Sequence, residues 1–156
     1  MGYTGQFPIA ADLPQAQHVR KVTLLFGAHP CFRLSSVSRV PRQLSVLAEA
    51  LAQVEKTDER YYEAELRRLK GELLLMQGVE TEAEASFHKA IEVARRQQAK
   101  SWELRATVSL CRLWQEQGRM AEARQMLAEI YGWFTEGFDT PDLQEAKMLL
   151  EELSRS

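Results

Sequence analysis

Apolar residues recur with the period of an α-helix from residue 42 onward. Two successive sets each fall on one helical face, and a polar break at residues 56–58 separates them. The sets are Leu44, Leu47, Ala48, Leu51 and Val54, then Leu66, Leu69, Leu73, Leu74 and Met76. From Arg42 to the end there are only five glycines and one proline, so this region is predicted to be all helix.

Local signals place the later helix ends. Thr81 with Glu84 three residues on has the form of a capping box and predicts a third helix from Thr81 to about Gln97. Ser101 is a natural N-cap for a fourth helix, which would stop at Gly118. A fifth helix is expected over about 121–134, and a sixth at Thr140-Pro141, where proline suits the first helical position.

The chain contains a repeat with an offset of forty residues. Glu63 to Ile91 aligns with Glu103 to Tyr131, with a glycine at Gly78 and Gly118 in each copy. A period of this size is typical of stacked helical units that cannot bury their apolar faces alone. The other identical pairs are Glu63/Glu103, Leu73/Leu113, Gln77/Gln117, Glu82/Glu122 and Ala83/Ala123.

Residues 1–40 differ from the rest. Most of the prolines lie here or at residue 41, and the helical period is weak. Pro30 would break a regular repeat helix over about 23–37, so we expect an irregular segment, or one displaced helix over about 14–26.

Composition excludes several classes of protein. The 156 residues are enough for one domain, and 20 Lys+Arg against 22 Asp+Glu give a net charge of -2, which disfavours nucleic acid as a partner. Cys31 and Cys111 are too few for a disulfide framework, which indicates a reducing compartment. No apolar run is long enough to span a membrane, and the N-terminus has no signal-peptide pattern, so a cytoplasmic location is expected.

The repeat resembles the tetratricopeptide family. Gly71 and Cys111 occupy the small position at which two helices touch, Leu74/Trp114 follow, and Ala83/Ala123 lie opposite. The resemblance implies an all-α fold of antiparallel helix hairpins, stacked as a short right-handed solenoid. The expected units are a half repeat at 42–55, repeats at 58–97 and 101–135, and a terminal helix at 140–153, within a domain at 41–156.

Three stretches also resemble the C-terminal repeats of large bacterial regulators, which carry nucleotide-cyclase or winged-helix heads and a predicted ATPase. They are YYEAELRRLKGELLL at 61–75, AKSWELRA at 99–106 and YGWFTEGFDTPDLQEAK at 131–147. The resemblance covers about 42–153 and includes no head domain. It implies a detached repeat fragment, so neither cyclase nor ATPase activity is expected.

Candidate chemistry is sparse. His18, His29 and His88 lack metal-ligand spacing, and no glycine-rich phosphate-binding motif is present. We therefore expect no catalytic residue, no metal site and no cofactor. Asp139 and Asp142 flank the start of the sixth helix, where carboxylates stabilise free N–H groups.

Four aromatic residues lie at the end of the fifth helix and before the sixth. They could line a ligand pocket, but a core that closes the end of the solenoid is the favoured interpretation. They are Tyr131, Trp133, Phe134 and Phe138.

The expected function is a protein–protein interaction or assembly module. Its first helices would form a groove whose arginines bind acidic or C-terminal carboxylates of a protein or peptide partner. The predicted outward positions are Glu65, Arg68, Glu72, Leu75, Met76, Arg105, Val108, Arg112, Gln115 and Glu116.

A second expectation is self-association, such as a homodimer, through an apolar face left without its neighbouring helix. That face is Leu44, Leu47, Leu51 and Val54. The alternative function is a ligand-sensing or accessory domain, whose pocket would be formed by residues 1–40.

Overall fold

The described part of the chain consists of helices and short connections. The computed structural model describes residues 40–57 and 60–155. The helices are α1 (Val40–Thr57), α2 (Glu63–Met76), α3 (Glu80–Arg96), α4 (Lys100–Glu116), α5 (Met120–Tyr131) and α6 (Pro141–Arg155), with a 3-10 turn at Arg60–Tyr62 before α2. No strand occurs within these ranges, so the all-α prediction is confirmed there. The expectations for residues 1–39 lie outside the described residues.

Each helix packs against the next one in the chain, and α4 also packs against both α2 and α6. The main apolar core runs through α2 to α6 and includes Phe87, Leu104 and Leu127, none of which is more than 1% exposed. The apolar period therefore identified the buried faces of these helices. The packing of α4 against α2 and α6 also places these three helices side by side, and together they carry the candidate site.

Three connections between helices share one backbone conformation. Gly78 and Gly118 both have φ +77°, and Gln98, between α3 and α4, has φ 55°. In each turn the N–H of this residue donates to the carbonyl three residues earlier, and the next N–H donates to the carbonyl five residues earlier. The turns are thus spaced by twenty residues, half the offset of the sequence repeat. The sequence predicted a break between Gln97 and Ser101, but the middle turn has no glycine, so its likeness to the other two turns was not evident.

The predicted side-chain caps at the starts of α3 and α4 are wrong. Helix α3 begins at Glu80 after Val79, and α4 begins at Lys100 after Ala99, and neither start has a side-chain cap. Glu84 instead accepts hydrogen bonds from Trp114 Nε1 at 2.8 Å and from Arg119 Nη1 at 2.9 Å. The Glu84 carboxylate, which the local pattern assigned to a helix cap, therefore binds residues of another helix and its following turn instead. Helix α6 does begin at Pro141, as predicted.

The four aromatic residues at the end of α5 and after it are only partly a core. Tyr131 and Phe134 are half-buried against the main core, but Trp133 is 58% exposed and Phe138 is 45% exposed. The expectation that all four close the end of the fold is therefore wrong for Trp133 and Phe138.

The α1 face expected to be open has one fully buried residue. Leu47 is 0% exposed, whereas Leu44, Leu51 and Val54 are half-buried. The burial of Leu47 does not fit a freely exposed apolar strip. Self-association itself stays a prediction.

Candidate binding surface on helices α2, α4 and α6

Charged and polar side chains from α2, α4 and α6 form a connected cluster around Arg68 and, beside it on α4 and α6, a separate Arg112–Glu145 ion pair, which together we call the inner network. Its members are Glu65, Arg68 and Glu72 from α2, Arg105, Ser109 and Arg112 from α4, and Asp142 and Glu145 from α6. Residues three or four apart lie on the same side of a helix, so each helix contributes a short row of polar side chains.

Arg68 is the centre of the network. Its Nε and Nη2 donate to the two carboxylate oxygens of Glu65 at 2.9 and 2.8 Å. Its Nη1 lies 3.2 Å from Glu72 Oε1 and 3.4 Å from Ser109 Oγ, and the Ser109 hydroxyl donates to the same Glu72 oxygen at 2.6 Å. The bidentate pair with Glu65 lies within α2, whereas the contact of Nη1 with Ser109 joins Arg68 to α4.

Arg105 and Arg112 join α4 to its neighbours. Arg105 Nη1 lies 3.2 Å from Glu65 Oε1, and its Nε lies 3.7 Å from Asp142 Oδ1 on α6. Arg112 Nη2 donates to Glu145 Oε1 at 2.8 Å. The three helices are therefore linked by opposite charges in the order acidic, basic, acidic along α2, α4 and α6.

The charges in this network change the pKa values of its carboxyl groups. Burial alone would raise the pKa of Glu65, but the charge and hydrogen bonds of Arg68, with the charge of Arg105, lower it below its usual value. Burial raises the pKa of Asp142, because Arg105 only partly offsets it and Glu65 and Glu145 add negative charge nearby. The surroundings therefore favour the ionised form of Glu65 and disfavour the ionised form of Asp142.

The structure joins four of the predicted groove residues, Glu65, Arg68, Glu72 and Arg105, and pairs a fifth, Arg112, with Glu145 on α6. Of the other five expected positions, Leu75 packs against the core and Glu116 is exposed at the end of α4. Met76 ends α2 and Gln115 lies in the last turn of α4, both half-buried, while Val108 is 6% exposed and belongs to the core.

Sequence reasoning missed Ser109, Asp142 and Glu145. Asp142 was assigned only to the start of α6. A signal was nevertheless present: Glu72 and Ser109 are separated by 37 residues, and so are Arg105 and Asp142. This common separation reflects the packing of each helix against the next but one.

The described residues contain no group of three or more His, Cys, Asp or Glu side chains suited to a metal ion. His88 Nε2 is 3.8 Å from Glu84, and the His88 ring packs against Trp114. Burial raises the pKa of the Cys111 thiol to about 12, and its Sγ lies 3.2 Å from the backbone oxygen of Ala123. Cys111 therefore has the environment of a core residue rather than of a nucleophile.

A surface depression of about 340 Å³ lies along α6, lined by Lys147, Leu150, Glu151, Ser154 and Arg155. These residues all come from one helix, so the depression lacks the converging groups from different elements that mark a ligand pocket. The pocket expected from residues 1–40 lies outside the described residues.

None of the described helices combines the length and apolar character needed to cross a bilayer. Comparison with protein-family models, with curated proteins and with solved structures finds no match for this chain.

Proposed function

We propose that this chain is a non-catalytic protein–protein interaction or assembly module of the tetratricopeptide type. Its helices would pair as antiparallel hairpins in a short right-handed solenoid, with α2, α4 and α6 facing the partner. The observation that supports this most is the inner network, in which three helices that are not consecutive in the chain present charged side chains together. The bacterial-regulator origin and the cytoplasmic location belong to the same proposal.

The three arginines differ in their availability to a partner. Arg68 is only 14% exposed and already holds Glu65 and Glu72. Arg112 is 53% exposed, and its Nη2 donates to Glu145 Oε1. A partner carboxylate would therefore reach Arg112 first, because exchanging one exposed ion pair costs little.

Affinity capture followed by single substitutions tests this proposal. A partner isolated with the wild-type chain is purified, and its binding is then measured to Arg112→Ala and to Arg124→Ala, a control for lost charge at an exposed site on α5. We expect weaker binding to Arg112→Ala only. Equal binding to all three proteins would remove the inner network from the interaction.

Arg68→Ala is a poor test of contact. It would leave Glu65 partly buried without its main partner, so the fold itself would be destabilised. Light scattering of the wild-type chain provides a separate test of self-association, since a homodimer would have twice the mass of one chain.

A further inference from the structure

Two exposed aromatic side chains lie on the connection between α5 and α6. Trp133 is 58% exposed and Phe138 is 45% exposed. Each contacts a half-buried ring: Trp133 packs edge-on against Phe134 at 5.2 Å between centroids, and Phe138 packs against Tyr131 at 5.8 Å. Phe134 and Tyr131 in turn pack against the main core. Each exposed ring therefore packs on one side against a half-buried ring, while its other side remains in water.

Positive charge lies beside the Trp133 ring. Lys100 Nζ is 5.6 Å from the centre of the Trp133 ring and 2.8 Å from Glu103 Oε2. Arg95 Nε is 2.7 Å from the other oxygen, Glu103 Oε1. One carboxylate, only 4% exposed, is thus shared by two cations, which leaves this trio with one positive charge in excess.

The two cations are not equally accessible. Lys100 is 29% exposed, while Arg95 is 51% exposed although its Nε is bound to Glu103. An incoming carboxylate can therefore approach Arg95 without displacing a buried partner. Tryptophan and arginine are also the residues most often found to dominate binding energy in protein interfaces.

We propose that Arg95, Lys100, Trp133 and Phe138 form a second binding surface, the aromatic edge. Its partner is a segment of another protein that carries an aromatic or large apolar side chain next to a carboxylate. The rings supply apolar contact area and ring stacking for the first group, and the excess positive charge attracts the second. The assignment does not depend on the inner network, because the two surfaces share no residue.

A random short-peptide library displayed on phage is the probe. Peptides selected on the wild-type chain are synthesised, and their affinities are measured for the wild type and for four variants, Trp133→Ala, Arg95→Gln, Met148→Ala and Arg112→Ala. We expect enrichment of peptides in which an aromatic or large apolar residue adjoins Asp or Glu. Their Kd should rise at least about tenfold with Trp133→Ala, and several-fold with Arg95→Gln. Met148→Ala is the matched control, because Met148 is 57% exposed on α6.

Circular dichroism of each variant establishes that it is folded before its Kd is compared. In addition, the chain can be labelled with 5-fluorotryptophan. The ¹⁹F resonance of Trp133, assigned by its loss in Trp133→Phe, should then shift when peptide is added.

Several results would overturn the proposal. The library could yield no enriched peptides, or the selected peptides could lack the acidic residue. Trp133→Ala could leave binding unchanged, or Met148→Ala could weaken binding as much as Trp133→Ala does. Binding abolished only by Arg112→Ala would assign the peptides to the inner network instead. A dimer of this chain that dissociates in Trp133→Ala would identify the occupant as a second copy.

Discussion

A β-carbon built on Gly71 would lie 2.5 Å from Cε1 of the Phe87 ring, closer than any two such atoms can approach. Gly71 lies in the middle of α2, and Phe87 is fully buried on α3. The absence of a side chain at Gly71 therefore sets the distance between these two helices.

Gly71→Ala should destabilise the fold by about 1–2 kcal/mol. Alanine favours a helix over glycine by roughly 0.5–1 kcal/mol, but overpacking a core costs about 1–3 kcal/mol. The overlap should win, because the Phe87 ring is fully buried and a shift of the ring would disturb the packing around it. Urea unfolding measures the change, and Phe87→Leu in the same chain should recover part of the loss. A gain in stability on Gly71→Ala would contradict the packing described here.

Phe87→Ala should lower the free energy of unfolding by about 3–5 kcal/mol, the usual range for removing a buried phenylalanine. Phe138→Ala makes the same chemical change at a residue that is 45% exposed, so its effect should be within about 1 kcal/mol. Chemical denaturation of both variants provides the comparison. Equal losses would mean that Phe87 is not a core residue.

Gln98→Gly should stabilise the fold by about 0.5–1 kcal/mol. Gln98 has φ 55°, a left-handed conformation that costs a non-glycine residue about 1–2 kcal/mol, and glycine gives back part of that gain as chain entropy. Gly118→Ala is the reverse experiment. A β-carbon there would meet nothing within 4 Å, so the expected loss of about 1 kcal/mol reports the backbone alone. Thermal unfolding should move in opposite directions for the two variants.

The stability of the wild type should fall as the pH drops below about 4.3, partly through Glu65. The pKa of Glu65 is lower in the folded chain than in the unfolded chain, so its contribution is complete above the unfolded pKa and is lost as the pH falls through the folded pKa. Glu65→Gln should be less stable at pH 7 and should show a weaker dependence on acid. Glu129→Gln, at an exposed position, serves as the control. The same acid dependence in Glu65→Gln and the wild type would exclude this role.

The apolar period predicted the helices well because burial of one face decides both the element and its side. Signals at helix starts were less informative. Thr81 and Glu84 match a capping box, yet Glu84 binds Trp114 and Arg119, which are at least thirty residues away in sequence. The local sequence cannot show whether a side chain will cap its own helix or bind a residue that is distant in sequence, because the position of that residue depends on the whole fold.

The candidate site was predicted in part for a similar reason. Helical spacing placed Arg68, Arg105 and Arg112 on related sides of α2 and α4, and the structure agrees. Their internal partners could not be read from spacing, because they depend on which helices become neighbours. The carboxylates of Asp142 and Glu145 are brought to the arginines only by the packing of α6 on α4.

The three matching turns at residues 78, 98 and 118 bear on how such a chain can grow. Each uses the same pair of backbone hydrogen bonds and leads directly into the next helix. If a copy of residues 80–119 were inserted after residue 119, it would be connected at both ends by turns of the conformation that the molecule already uses. Length is therefore a quantity that gene duplication can change in whole units, while side-chain identity along those units remains free to diverge.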